Sequence, residues 1–202
     1  KIPIDNIVLE SSYWKEAEWG SQEFDETRFP DPQQMIDLVH KKYQAKIMIS
    51  VWPKFYEGIP AYDYFNKKGW LYKRNIADRQ KDWIGKGYTS TFYDAFNKEA
   101  RDGFWKLIQD KLYTKKIDAW WMDASEPDIL SNVSPERRKQ QMSPTAIGTA
   151  AEFLNAYPLF MKGKEAQTAT GGYTCLPVPA LVVRSAMLLL SGVVILPPAG
   201  KI

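Results

Sequence analysis

The segment Trp120-Trp121-Met122-Asp123-Ala124-Ser125-Glu126-Pro127-Asp128 sets carboxylates directly behind two indoles. A carboxylate can attack an anomeric carbon, and an indole offers a flat apolar wall to a sugar ring. Residues 117–122 form a short, apolar, aromatic-rich run, which predicts a buried strand, and Pro127 bars its continuation as a helix or central strand. Asp123 therefore falls where a strand gives way to its loop. In a parallel α/β barrel that edge carries the chemistry. The pattern alone leaves a second role open, since Asp in such a position is often a loop or helix-capping residue.

The elements needed to hold such a site follow from periodicity and punctuation. A strand is predicted over 6–9, then a polar loop to Pro32, which suits the first turn of a helix over about 33–43 with Met35, Ile36 and Val39 on one face. Residues 46–51 read as a second strand ending at Trp52-Pro53. The stretch 54–86 is long for a βα loop and reads as a functional excursion. Residues 89–93 are predicted as a third strand, followed by a helix over about 98–113 in which Phe104, Leu107, Ile108 and Leu112 keep helical spacing. Residues 117–122 are then the fourth strand, and Pro144 opens a helix to about residue 157. Four strands make about half of a (β/α)8 barrel, which takes ~250 residues when complete. The fold class expected is thus α/β, an incomplete TIM (β/α)8 barrel, roughly its first half.

Composition narrows the choice of partner. Eight Trp and eleven Tyr in 202 residues supply many flat amphipathic surfaces of the kind that line ligand pockets, although most such rings serve a core. A net charge of +3, with Lys and Arg spread among Asp and Glu, argues against nucleic acid. His40 is the only histidine and falls near a helix end, where a metal would lack further ligands. No metal site and no cofactor are expected. Cys175 stands alone, so no intrachain disulfide can form. The apolar run 186–196 follows Arg184 and stops at Pro197-Pro198, short of the ~20 residues a spanning helix needs, so no membrane partner is expected. The opening Lys1-Ile2-Pro3-Ile4 enters a strand directly, with neither a starting Met nor a signal-peptide pattern. It is expected to be a cut end, and localisation is therefore not read from it.

The run Trp120 to Asp128 resembles the nucleophile motif of glycoside hydrolase family 31 in its α-xylosidase-like form, where other members read closer to W-I-D-M-N-E-P. The likeness extends through Ile2-Pro3-Ile4-Asp5, Tyr13-Trp14, Trp19-Gly20, Phe24-Asp25 and Arg28-Phe29-Pro30-Asp31-Pro32 to Ile49-Ser50-Val51-Trp52-Pro53-Lys54-Phe55. It continues in Tyr93-Asp94-Ala95-Phe96-Asn97, Ala100-Arg101 and Phe104-Trp105. It covers roughly residues 1–159, the expected partial catalytic barrel. The resemblance implies a retaining glycosidase that needs no cofactor. Asp123 is its nucleophile, and a second carboxyl group ~5–5.5 Å away protonates the leaving oxygen. It implies that Trp52 and Trp121 wall the sugar, that Asp94 bonds its hydroxyls or caps the following helix, and that Glu126 supports the nucleophile by orienting it or tuning its charge. Other members carry Asp followed by Trp at the end of the first strand; this chain has Glu10-Ser11, which makes Glu10 the substrate-binding candidate there. The substrates implied are terminal α-xylosides, including xyloglucan oligosaccharides, with α-glucosides as the alternative. A noncatalytic sugar-binding module using the same aromatic platform is a reading from another class.

Composition breaks where the likeness ends. After Glu165 only Arg184 and Lys201 carry charge. If each true codon begins at the third base of the written one, Phe160-Met161-Lys162-Gly163-Lys164-Glu165 can be spelled as Y-E-G-Q-R, the family's continuation, with the E forced because Met has a single codon. The region around 177–182 can be spelled S-R-S-G-F-G-G, and 185–195 can be spelled V-R-Y-A-A-A-I-W-S-G-D, the family's acid/base motif. Residues 160–202 are therefore expected to be an apolar tail read in a shifted frame and not natively folded, and the chain to be inactive as written.

Overall fold

A computed structural model describes residues 4–82 and 87–123, the single positions Glu136, Gln140, Thr145, Ala146 and Tyr157, and the strand Val193–Ile195. Its frame is a parallel sheet: β1 (Asn6–Leu9) pairs with β2 (Lys46–Val51), and β2 with β5 (Ala119–Met122). Successive side chains of a strand point to opposite faces. Ile47, Ile49, Val51, Trp120 and Met122 thus share one face and join the aromatic-rich core, against which two helices are laid. These are α1 (Pro32–Tyr43), which buries Ile36 and Val39, and α4 (Lys98–Lys111), which buries Ala100, Phe104, Trp105 and Ile108. Met48, Ser50, Ala119 and Trp121 share the other face.

Both helices begin where side chains can take up free N–H groups. Asp31 accepts from Gln34 N (2.8 Å) ahead of Pro32, and Asn97 accepts from the N–H groups of Glu99 and Ala100 (2.9 and 3.3 Å). α1 ends on Gln44 in the left-handed region (φ 51°). Its last turn carries His40, whose Nε2 lies 2.7 Å from Asp118 Oδ2; the same oxygen accepts the Ile47 N–H at 2.9 Å. That cluster ties α1, β2 and the entry to β5 together at the end of the sheet opposite Asp123.

The third predicted strand is not a barrel strand. Ser90–Phe92 (β4) pairs antiparallel with Lys54–Tyr56 (β3), forming a separate two-stranded sheet, so the described residues hold three parallel strands rather than four. An all-buried run such as Ser-Thr-Phe carries no sign of which sheet it joins. Its partner is fixed by the excursion itself, which holds α2 (Pro60–Lys67) and the short α3 (Arg74–Ala77). Thr91 Oγ1 donates to Tyr72 O at 2.6 Å and accepts from Asn75 Nδ2 at 3.1 Å, holding β4 onto that unit. The helix expected over 144–157 lies outside the described residues save for Thr145, Ala146 and Tyr157.

Gly103 sits on the face of α4 pressed against Trp70, and a Cβ there would overlap the Trp70 ring. Gly103→Ala, made in a full-length enzyme, is expected to destabilise the fold by about 1–3 kcal/mol despite the better helix propensity of Ala, because overpacking outweighs it. Denaturant midpoints of the two proteins check this, and a variant as stable as the parent would contradict it.

Candidate active site

Asp123 follows β5 and is only 9% exposed. Its N–H is shared between Val51 O and Trp121 O, both at 3.1 Å. This carries the β2–β5 register one step beyond the strands and brings Asp123 beside Trp52. The Trp52 indole N–H donates to Ser50 Oγ at 3.1 Å, and its ring meets Trp19 edge-on at 5.0 Å. Trp121 lies on the same face of the sheet as Asp123, half-buried, with an indole N–H that finds no acceptor among the described residues. Trp120 points the other way, into the helix layer, with Trp105 at 6.4 Å.

The loop between β1 and α1 wraps this end of the sheet. Gln22, in the left-handed region (φ 55°), donates from Nε2 to Trp52 O at 3.1 Å and accepts from Tyr13 Oη at 3.2 Å. Arg28 closes the loop by donating to Trp14 O (2.6 Å) and to Asp25 Oδ2 (2.8 Å), and these bonds with Thr27 hold the Asp25 carboxyl at a pKa of about 2. Gly20 lets the loop touch β3: at φ +97°, a Cβ would stand 2.5 Å from Lys54 O and 2.9 Å from Phe55 Cα. Gly20→Ala in a full-length enzyme is expected to cost about 1–3 kcal/mol of stability and to lower kcat/KM, since it pushes Trp19 off Trp52. Thermal denaturation and steady-state kinetics on an aryl α-xyloside read the two effects; unchanged values would refute the contact's importance.

Lys54, buried at 1% exposure, stands at the centre of this arrangement. Its ammonium lies 4.6 Å from the Trp19 ring centroid and 4.8 Å from that of Trp52, and pairs with Asp82 Oδ2 at 2.6 Å. Burial pushes the Lys54 pKa down, opposed by Asp82 and, more weakly, by Asp123. Burial likewise raises the Tyr56 phenol, whose hydroxyl is bonded to Asp82. Neither Lys54 nor Asp82 is among the candidates read from the sequence, nor are Trp19 and Gln22. Lys54 alone left a trace: a lysine within Val51-Trp52-Pro53-Lys54-Phe55-Tyr56 is a polar residue in an apolar run, two positions from Trp52.

The other candidates fall as follows. The register sets Glu10, just past β1, alongside Ser50, where it is exposed. Asp94 is buried, and its carboxylate is occupied: Oδ1 accepts from Tyr72 Oη (3.0 Å) and Phe96 N (3.1 Å), and Oδ2 from Ala146 N (2.7 Å). Burial raises its pKa against the pull of those bonds. Because β4 belongs to the two-stranded sheet, Asp94 does not stand at the end of a parallel strand. Glu126 lies outside the described residues.

A carboxylate at the C-terminal end of a parallel strand, with indoles beside it and helices behind, is the arrangement expected at the loop-bearing edge of a (β/α)8-type domain. The chain belongs to glycosyl hydrolase family 31: the family model for its TIM-barrel domain matches residues 1–187. An α-xylosidase of Saccharolobus solfataricus is 36% identical over 162 residues, covering 79% of this chain and 19% of that protein. The crystal structure of a family 31 α-xylosidase from Xanthomonas citri is similar at 45% identity with a TM-score of 0.77, over 82% of this chain and 18% of that one. A soil-metagenome α-xylosidase solved with xylose follows at 25% identity and a TM-score of 0.68. The chain spans about a fifth of the length of the curated relatives it matches.

Proposed function

We propose that this chain carries the nucleophile half of a retaining α-glycosidase site that removes terminal α-xylosyl residues. The observation that carries the reading is the seating of Asp123 beyond β5, buried beside Trp52 and flanked on its own face by Trp121. A carboxylate so placed attacks the anomeric carbon to give a covalent glycosyl-enzyme, with Trp52 and Trp121 as walls of the sugar subsite. Glu126, three residues on, supports the nucleophile, and Glu10 is the sugar-binding candidate at the end of β1, while Asp94 holds its own loop together through Tyr72, Phe96 and Ala146. The names of the similar α-xylosidases favour xylose, and xyloglucan oligosaccharides are its natural source in this reading. A family 31 glucosidase relative, 27% identical over 128 residues, keeps α-glucosides as the second substrate class.

The general acid comes from a later segment, which residues 160–202 encode only in a shifted frame. Supporting this are the loss of charge after Glu165, the three family-like blocks spelled in one frame, and the antiparallel pairing of β6 (Val193–Ile195) with β5. The strand beside β5 in a closed family barrel is parallel. The test of function is covalent trapping: a 5-fluoro-α-xylosyl fluoride, incubated with the full-length enzyme expressed from the restored frame, should lose its anomeric fluoride and add one 5-fluoroxylosyl unit to the peptide containing Asp123. A label on another peptide would sink the assignment.

A further inference from the structure

The buried Lys54–Asp82 pair clasps the two ends of the excursion against Trp19 and Trp52. Lys54 opens β3, and Asp82 stands at the other end, its N–H bonded to Tyr88 O at 2.8 Å. The two side chains, 1% and 0% exposed, meet at 2.6 Å. The same ammonium stands over both indoles, 4.6 Å from the Trp19 centroid and 4.8 Å from that of Trp52, and the rings themselves meet edge-on at 71°. Trp52 has two further fixed points, its indole N–H on Ser50 Oγ (3.1 Å) and its carbonyl, which accepts from Gln22 Nε2 (3.1 Å). Those bonds hold the edge of the ring and the backbone; the cation holds the ring face.

A buried ion pair is a poor device for stability, because taking two charges out of water costs about as much as their attraction returns, and apolar replacements of similar volume are often as stable or more so. Its use here is directional. A cation is attracted to the face of an indole, so one ammonium shared by two rings fixes the tilt of both, which an apolar side chain of the same volume does not. We propose that Lys54, anchored by Asp82, is a positioning residue for the sugar wall: it sets the tilt of the Trp52 ring, and so how closely that wall meets a bound xylosyl unit. The inference rests on the reading that Trp52 lines the sugar subsite. Closing the excursion and shaping the wall are then one event, since the clasp between residues 54 and 82 also places the cation.

In the full-length enzyme, Trp52→Phe is measured first with an aryl α-xyloside: unchanged kinetics would defeat the wall reading itself, whatever Lys54 does. The paired variant Lys54→Met/Asp82→Asn then removes both charges, so that neither is left uncompensated in the interior, and the Asn keeps an acceptor for the Tyr56 hydroxyl. It is expected to melt as cooperatively as the parent and at no lower temperature. Its KM should nevertheless rise about tenfold with kcat held within about twofold, because the wall meets the sugar in ground and transition states alike. In the Trp52→Phe background the same pair should raise KM by less than about twofold, since both changes act through one ring. A parental KM in the paired variant would overturn the proposal, as would a rise of the same size that persists in the Trp52→Phe background. A paired variant that no longer melts cooperatively would make the pair a stabilising one and overturn it too.

Discussion

Asp123→Ala, made in the full-length enzyme, is expected to lower turnover of an aryl α-xyloside by about 10³–10⁶-fold. The loss is large because, in the proposed reaction, the carboxylate forms the bond on which the first half depends. The substitution leaves the fold largely intact, since the Asp123 backbone N–H goes on bonding Val51 O and Trp121 O. It also opens space where the carboxylate stood. Added azide should then enter that space, attack from the same side, restore release of the aryl group and give β-xylosyl azide, which chromatography against a standard identifies. Glu126→Gln should leave measurable activity, because in the proposed mechanism it supports the nucleophile rather than forming the bond. Near-normal rates for Asp123→Ala would sink the nucleophile assignment outright.

The 202-residue chain as written is expected to hydrolyse no α-xyloside, whereas the same gene with the frame restored gains the activity. Loss of general acid catalysis alone removes about 10²–10⁴-fold. The sheet compounds that loss. On the described strands Ile7 and Val8 of β1 are 37% and 43% exposed, and β1 carries an unpaired edge in the four-stranded order. An apolar edge of this kind templates pairing with other chains. Expressed alone, the chain is expected to be insoluble or molten. Sequencing the coding DNA across the codons for Leu159 and Phe160 is the direct check. An unshifted read, hydrolysis by the purified 202-residue chain, or a sharp cooperative melt of its soluble monomer would contradict the expectation.

The strands that build the site were legible because each is a short apolar run closed by a breaker. Asn6–Leu9 and Lys46–Val51 fall where periodicity sets them, and α1 begins at the proline that announces it. Asp123 was legible for the same reason, as the first polar residue after such a run. Ser90–Phe92 was not, because a buried three-residue run has the same appearance in a barrel sheet and in a hairpin. Its pairing with Lys54–Tyr56 and the bonds of Thr91 to Tyr72 and Asn75 decide between them. Asp82 was illegible because its partner Lys54 is far along the chain and its loop has no periodic pattern. Gln22 was missed because its role is set by backbone conformation, a left-handed turn that aims its amide at Trp52 O.

The two sides of the proposed sugar pocket are made at different times. Trp52 and Asp123 are neighbours in space, yet the parallel pairing of β2 with β5 requires the whole of the intervening chain to have left the ribosome. The contacts among Trp19, Gln22, Trp52 and Lys54 involve only earlier residues, and both strands of the β3–β4 sheet precede β5 in the chain. Contacts between distant segments are slow to form because their loop entropy must be met first. During vectorial synthesis the residues of the aromatic wall and its lysine therefore emerge together, ahead of the segment that carries Asp123.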